Sequence, residues 1–309
     1  MIRSPFTFQD SNATSIHVYR WLPAEGMPVK AVVQIAHGMA ETAARYERLA
    51  LTLTANGYAV YANDHKGHGL TAATIEDIGY IGPTGFHGML EDMVHLTHII
   101  KQEHLTTPVF LLGHSMGSFL AQGYMQKYGT ELHGVILSGT NGDPGPSLKP
   151  GIFLAKLIAK VYGERHQSKV ITTLVFGSYN SDFKPLRTPF DWLSRDETEV
   201  NKYIIDPFCG TLFTASFFRD FFLFLQEIYQ IQGLRRIPRQ LPQYLFSGAL
   251  NPVGHKSMGV KKLIVTYEEL QLQDITYRFY EGGRHEMLNE INRDEVTQDL
   301  LAWLEEKIN

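Results

Sequence analysis

The sequence has a single cysteine, Cys209, among 309 residues. One cysteine cannot form a disulfide within the chain, so nothing indicates an oxidising compartment. Two histidine pairs are present, His65 with His68 and His95 with His98, but neither comes with the further ligands that a metal site requires. We therefore expect a cytoplasmic protein that holds no metal.

The sequence also lacks an excess of basic charge. Its formal net charge is −4, with 44% hydrophobic and 19% charged residues. Nucleic-acid binding needs a clustered basic face, and the one basic run, residues 235–239, is typical of a solvated loop. The composition therefore predicts a globular protein without a nucleic-acid partner.

Long apolar runs are missing as well. The first residues lack the continuous apolar stretch of a signal peptide, and no segment approaches the roughly 18 apolar residues of a membrane span. The two most apolar stretches, residues 152–162 and 217–231, are interrupted by charged side chains. Both are typical of amphipathic helices.

What is present is an alternation of short apolar runs with longer helical patterns, which is typical of an α/β protein with a mostly parallel sheet flanked by helices. The runs predict strands at residues 31–36, 59–63, 109–112, 135–137, 244–246 and 277–280. The patterns predict helices at residues 43–55, 88–104, 117–128, 259–270 and 293–308.

The alternation stops between residues 141 and 240, where Pro, Gly and aromatic residues are frequent. We therefore expect residues 1–140 and 241–309 to form one catalytic core. Residues 141–240 are expected to form a helical cap or lid inserted into that core.

The strongest motif is Gly113-His114-Ser115-Met116-Gly117, between a predicted strand and a predicted helix. G-x-S-x-G in this context is typical of a nucleophile elbow, in which a sharp turn lifts the serine hydroxyl out of the sheet. The same turn points the Met116 N–H and the dipole of the helix at the position where an oxyanion forms. Ser115 is therefore the predicted nucleophile.

A serine hydroxyl needs a base, which in this fold follows the last strand. The loop after residues 277–280 contains His285, our candidate. The second oxyanion donor should follow the strand at residues 31–36, where the Met39 N–H is our choice.

The acid of the triad should follow the strand at residues 244–246, but the residue there is Asn251. Three interpretations are open: that Asn251 replaces a natural aspartate, that the natural enzyme is impaired, or that the acid has moved. Asp143, after the strand at residues 135–137, is the candidate for a moved acid, although a simple turn residue explains it better.

With these residues in place, the chain resembles the monoacylglycerol lipase and lysophospholipase branch of the α/β hydrolases, the serine aminopeptidase-like family. Besides the elbow, the resemblance rests on segments at residues 37–46, 64–69, 138–140, 206–210, 251–254 and 284–290. In the family, the segment at residues 251–254 normally reads Asp-Pro-Val-Gly. The resemblance implies the α/β-hydrolase fold, hydrolysis of single-chain lipid esters without a cofactor, and a lid over an acyl pocket.

Two other functions remain open. An aminopeptidase would need acidic groups in the lid, for which Asp182, Asp196 and Glu197 are available, and a lipid-binding protein without catalysis is favoured by Asn251. A lipid ester is the expected partner, with peripheral membrane contact through residues 152–162. The sequence does not indicate an oligomeric state. A dinucleotide-like glycine pattern at residues 67–72 lies too far after its strand to bind a cofactor.

Overall fold

The computed structural model of the chain describes residues 1–308. Within them, one sheet of nine strands runs through the centre. The strands are β1 Ile2–Arg3, β2 Phe6–Gln9, β3 Ser15–Leu22, β4 Ala31–Ala36, β5 Tyr58–Asn63, β6 Val109–His114, β7 Gly134–Ser138, β8 Gln243–Gly248 and β9 Ile275–Tyr280. The strand order is β1-β3-β5-β4-β6-β7-β8-β9, and β2 pairs with β3. From β5 to β9 neighbouring strands are parallel, whereas β3 is antiparallel to β5.

The same residues contain ten α-helices. They are α1 Glu47–Ala55, α2 Gly85–Glu103, α3 Met116–Tyr128, α4 Leu148–Tyr162, α5 Lys169–Phe176, α6 Glu197–Ile205, α7 Ala215–Ile228, α8 Ile231–Leu234, α9 Met258–Glu269 and α10 Arg293–Ile308. No helix in residues 1–308 is both long enough and apolar enough to cross a membrane.

Helices cover both faces of the sheet, which explains the continuous apolar runs of the central strands. All six residues of β4 are buried. Val32 packs into the hydrophobic cluster that includes α2, α3 and α7, while Val33 and Ile35 pack into the cluster that includes α1 and α10. This two-sided burial confirms the predicted fold class.

The predicted helices agree with the structure within a few residues, except that residues 43–46 form a 3-10 turn before α1. The N-terminal strands β1, β2 and β3 were not predicted. Their signal is weaker because β1 and β2 are short and the buried residues of β3, Ile16, Val18 and Trp21, do not alternate strictly.

Residues 141–240 contain α4 to α8, and α7 lies deepest. Its Phe217 and Phe218 are fully buried, and Phe217 packs against Phe86 of α2. Thus α7 shares the cluster that covers one face of the sheet. The division of the chain into core and cap stays a prediction.

The order of the strands determines where a site can form. After β4 the chain places β5 on one side of it and β6 on the other. Ligands in open α/β sheets bind at such a switch point, outside the carboxyl ends of the strands. Here the loops after β4 and β6 meet at that edge, which brings residues 37–40 next to Ser115.

Candidate active site

Ser115 occupies a strained turn between β6 and α3. Its φ of 51° and ψ of −117° lie outside the regions that residues with a side chain ordinarily adopt. The turn needs glycine on both sides: a Cβ on Gly117 would lie 2.0 Å from the carbonyl oxygen of Ala36, and one on Gly113 would lie 2.4 Å from that of Gly117. The Ser115 N–H donates to the Ser138 carbonyl oxygen at 2.9 Å and fixes the turn to β7.

His285 and Asn251 meet below this turn. The His285 Nδ1–H donates to the Asn251 Oδ1 at 2.9 Å. The Val253 backbone N–H donates to the same oxygen at 3.1 Å, and the Asn251 Nδ2 donates to the Ser247 Oγ at 3.0 Å. Because a backbone N–H requires an acceptor, the amide presents its oxygen to the ring. The proton is thereby held on Nδ1, and Nε2 is left as the basic nitrogen.

The surroundings of His285 keep the imidazole neutral. The ring is 2% exposed and lies 4.8 Å from the His114 ring and 5.0 Å from the Trp192 ring, centroid to centroid. Burial lowers the pKa of His285 well below its ordinary value, and His114 lowers it further, whereas the Glu286 carboxylate raises it. At neutral pH the ring can therefore accept a proton.

The backbone around Met39 is held by polar contacts on both sides. Before it, the His37 Nδ1–H donates to the Gly38 carbonyl oxygen at 2.7 Å, and the His65 N–H donates to the His37 Nε2 at 3.0 Å. After it, Glu41 accepts from the Gly38 N–H at 2.5 Å. These bonds fix the Met39 amide next to the elbow.

Met116 is the first residue of α3, and the first amides of a helix have no partner within the helix. Met39, Ser115 and Met116 line one cavity together. The structure thus brings both predicted oxyanion donors to the predicted nucleophile.

Asp143 lies elsewhere. It is exposed, and its Oδ1 accepts from the Gly145 N–H at 2.7 Å within its own turn. The side chain on the His285 Nδ1 is that of Asn251.

Two cavities meet at Ser115. The larger, of about 430 Å³, is bounded by the loops of Ser115, His285 and Met39 and by Phe176 and Trp192 from the segment between β7 and β8. The smaller, of about 180 Å³, continues past Ser115 between α3 and α7 and has mostly apolar walls, including Phe119, Phe221, Phe222, Leu225 and Val253. Ser115 therefore lies where two adjoining cavities meet.

A buried ionic group joins the loop of Met39 to the loop of His285. The Arg45 guanidinium lies 2.6 Å from the Glu41 Oε2 and makes two bonds of 2.7 Å to the Glu286 carboxylate. We call these three residues the Glu41–Arg45–Glu286 cluster. Sequence reasoning assigned it no role. The spacing of Glu41 and Arg45 by four residues could have suggested that pair, but their link to Glu286 spans 241 positions.

A family described as "Serine aminopeptidase, S33" matches residues 27–292. The chain belongs to this family. The "Monoacylglycerol lipase" of Mycolicibacterium smegmatis is 28% identical over 307 residues, 98% of this chain and 97% of its own length. The "Monoglyceride lipase" of Mus musculus is 26% identical, and the match covers 93% of this chain and 86% of that protein.

Among solved structures, a thermostable carboxyl esterase from Bacillus coagulans in complex with glycerol has a TM-score of 0.91 and 27% identity, and the match covers 100% of both chains. The predicted resemblance to the family is confirmed. This S33-family chain is a carboxylic ester hydrolase of the α/β-hydrolase class.

Proposed function

We propose that the protein hydrolyses esters of single-acyl-chain lipids, either monoacylglycerols or lysophospholipids, through an acyl-enzyme on Ser115. His285 takes the hydroxyl proton as Ser115 attacks the ester carbonyl and then passes it to the leaving alcohol. Water, activated by the same ring, releases the fatty acid. The observation that carries the proposal is the bond from the His285 Nδ1 to the Asn251 Oδ1, because it leaves the Nε2 free as a base in the cavity that Ser115 also lines.

Stabilisation of the oxyanion falls to the amides of Met39 and Met116. Both residues line the smaller cavity together with Ser115. Met116 is the first residue of α3, whose dipole favours negative charge at that end. Donors already held in place cost no reorganisation during the reaction. Loss of one such donor typically lowers turnover by roughly 10²–10³.

The two cavities support an ester substrate. An ester carries an acyl chain on one side of its carbonyl carbon and an alcohol on the other, and Ser115 lies where two spaces meet. The mostly apolar lining suits an acyl chain. The names of the relatives from Mycolicibacterium smegmatis and Mus musculus support a monoacylglycerol as the substrate to test first.

The acidic side chains considered for an aminopeptidase lie away from these cavities. Asp182 pairs with Lys256 at 3.0 Å, and Asp196 caps α6 and pairs with Arg293. Glu197 is exposed at the start of α6. Their positions favour an ester over an aminoacyl substrate.

The exposed face of α4 supports contact with a membrane surface. Phe153, Leu157 and Val161 are 70%, 47% and 62% exposed, and they lie four residues apart on one helix face. Three exposed lysines accompany them, Lys149, Lys156 and Lys160. We call these six residues the α4 surface. Apolar side chains flanked by lysines fit the interface of an anionic bilayer.

A substrate comparison tests the proposal. We expect the purified protein to hydrolyse 1-monooleoylglycerol or 1-oleoyl lysophosphatidylcholine and to leave aminoacyl anilides intact, with Ser115→Ala as the inactive control. Turnover of the anilide alone would indicate an aminopeptidase. No turnover of any substrate, by either the wild type or Asn251→Asp, would indicate a lipid-binding protein without catalysis.

A further inference from the structure

The side chain that holds the His285 Nδ1 carries no charge. In the proposed reaction, on which this inference rests, His285 becomes a cation when it takes the Ser115 proton, and an acidic partner would stabilise that cation. Asn251 is fully buried, and its other partners, the Ser247 hydroxyl and the Val253 amide, are neutral too. The required negative charge has to come from another direction.

The Glu41–Arg45–Glu286 cluster places negative charge at the cavity that His285 lines. Glu286 follows His285 in sequence, and both carboxylates of the cluster line the larger cavity together with Ser115 and His285. Two carboxylates and one guanidinium give a formal charge of −1. Glu41 and Glu286 are 3% and 5% exposed, so little water screens this charge.

The ion pair of Arg45 and Glu286 is held in its ionised form. Burial would raise the pKa of Glu286, but the Arg45 guanidinium holds it at about 2. Burial would likewise lower the pKa of Arg45, but the facing carboxylates raise it. This pair therefore stays charged across the pH range in which a serine hydrolase works.

We infer that the Glu41–Arg45–Glu286 cluster stabilises the His285 imidazolium through space, in place of a triad carboxylate. Glu286 is then a positioning residue in the electrostatic sense: it touches no reacting atom and acts through His285. The cluster also joins the Met39 loop to the His285 loop. The same ionic group therefore fixes the oxyanion amide and raises the basicity of His285.

Other groups face His285 from each element packed on it. His114 approaches from the elbow and opposes the cation, Arg45 partly offsets Glu286, and the cap contributes the neutral Trp192. Among the ionisable groups, the Glu286 carboxylate favours the protonated ring. Variants of the cluster should therefore shift the basicity of His285 in a direction set by their charge.

The test uses the pH dependence of Ser115 phosphonylation by a fluorophosphonate, which requires the base but no lipid. Glu286→Gln removes a negative charge, so we expect the acid limb to move to lower pH by about one unit and the plateau rate to fall by up to about tenfold. Glu41→Gln should slow labelling less, because Glu286 is the carboxylate that raises the pKa of His285, and the side-chain oxygen at position 41 can still accept from the Gly38 N–H. Glu41→Gln keeps the bidentate pair of Arg45 and Glu286, which protects the fold if Glu286→Gln is unstable.

Arg45 provides the opposite change and its matched control. Arg45→Gln leaves the carboxylates uncompensated and should move the acid limb of the profile to higher pH, whereas Arg45→Lys retains the charge and should leave the limb in place. A merely structural role would slow labelling in these variants without opposite shifts. That result, or an unchanged rate in both glutamine variants of the carboxylates, would overturn the inference.

Asn251→Asp separates this inference from the proposed function. With a carboxylate at position 251, the loss in Glu286→Gln should shrink to about threefold or less, because the imidazolium then has an adjacent negative partner. An equal loss in both backgrounds contradicts the inference while leaving Ser115 as the nucleophile. Absence of Ser115 labelling in every variant contradicts the proposed function itself.

Discussion

At the scale of single residues, Ser115 shows how the site stores strain. A residue with a side chain in such a conformation costs roughly 1–3 kcal/mol, and glycine adopts positive φ without that cost. We expect Ser115→Gly and Ser115→Ala both to be inactive. The free energy of unfolding of Ser115→Gly should exceed that of Ser115→Ala by about 1 kcal/mol. This figure already subtracts the larger conformational entropy that glycine gives the unfolded chain.

Urea denaturation of the two variants measures this difference. Ala302→Gly, at an exposed position of α10, is the control, because it loses helix propensity without relieving strain. Equal stability of the two Ser115 variants would show that the elbow is not strained.

Asn251 gives a second prediction at this scale. In serine proteases an asparagine in place of the acid lowers turnover by roughly 10⁴, largely through the wrong tautomer. Here the Val253 N–H already turns the amide oxygen to the ring, so the tautomer is correct. We expect Asn251→Asp to raise kcat by only about tenfold, the difference between a neutral and a charge-assisted hydrogen bond.

Steady-state hydrolysis of a soluble short-chain ester checks the size of that gain. A gain approaching 10⁴ would mean that the amide oxygen does not face His285 during the reaction.

At the scale of elements, the α4 surface gives a prediction about membrane binding. Replacing Phe153 and Leu157 by serine should weaken binding to vesicles of phosphatidylcholine with phosphatidylglycerol by about tenfold or more, since two apolar side chains no longer leave water. Hydrolysis of a soluble ester should be unchanged.

Vesicle flotation measures the binding. Leu105→Ser is the matched control, because Leu105 is 85% exposed but lies outside the α4 surface, after α2. Equal flotation of all three proteins would assign membrane contact to another part of the chain or to none.

The elements also show how far sequence patterns reach. The strand β4 and the helix α3 could be located because one is apolar at every position except Gln34 and the other follows a glycine motif. The hairpin of β2 and β3 could not, since β2 is short and the buried residues of β3, Ile16, Val18 and Trp21, do not follow the strict alternation that identifies a strand. Ser115, His285 and Asn251 were found through motifs. The Glu41–Arg45–Glu286 cluster was not, because an ion pair between distant positions depends on the tertiary fold.

At the scale of the whole molecule, stability should depend on pH through a buried carboxylate. Asp92 of α2 is 4% exposed, and it shares Lys66 with Asp10, at 3.4 and 2.5 Å from the Lys66 Nζ. Burial raises the pKa of Asp92 to about 7; Lys66 opposes this and Asp10 adds to it.

The sign follows from linkage. As the pH rises from about 4 to about 7, the unfolded chain releases the Asp92 proton while the folded protein retains it, so this group lowers the free energy of unfolding. We expect Asp92→Asn to remove this decrease in the free energy of unfolding, which is at most roughly 4 kcal/mol. The pair of Lys66 and Asp10 should stay intact.

Urea midpoints at pH 4.5 and 7.5 provide the test, with Glu269→Gln, at an exposed position of α9, as the control. An equal pH dependence in wild type and Asp92→Asn would contradict this account of Asp92.

The central claim is that the fold presents Ser115 as an activated nucleophile. Fluorophosphonate labelling followed by peptide mass spectrometry tests it most directly, in wild type, Asn251→Asp, and Ser115→Ala. The account predicts one phosphonyl group on Ser115 in the first two proteins and none in the third. An unmodified Ser115 in Asn251→Asp, or an adduct on a different residue, would contradict it.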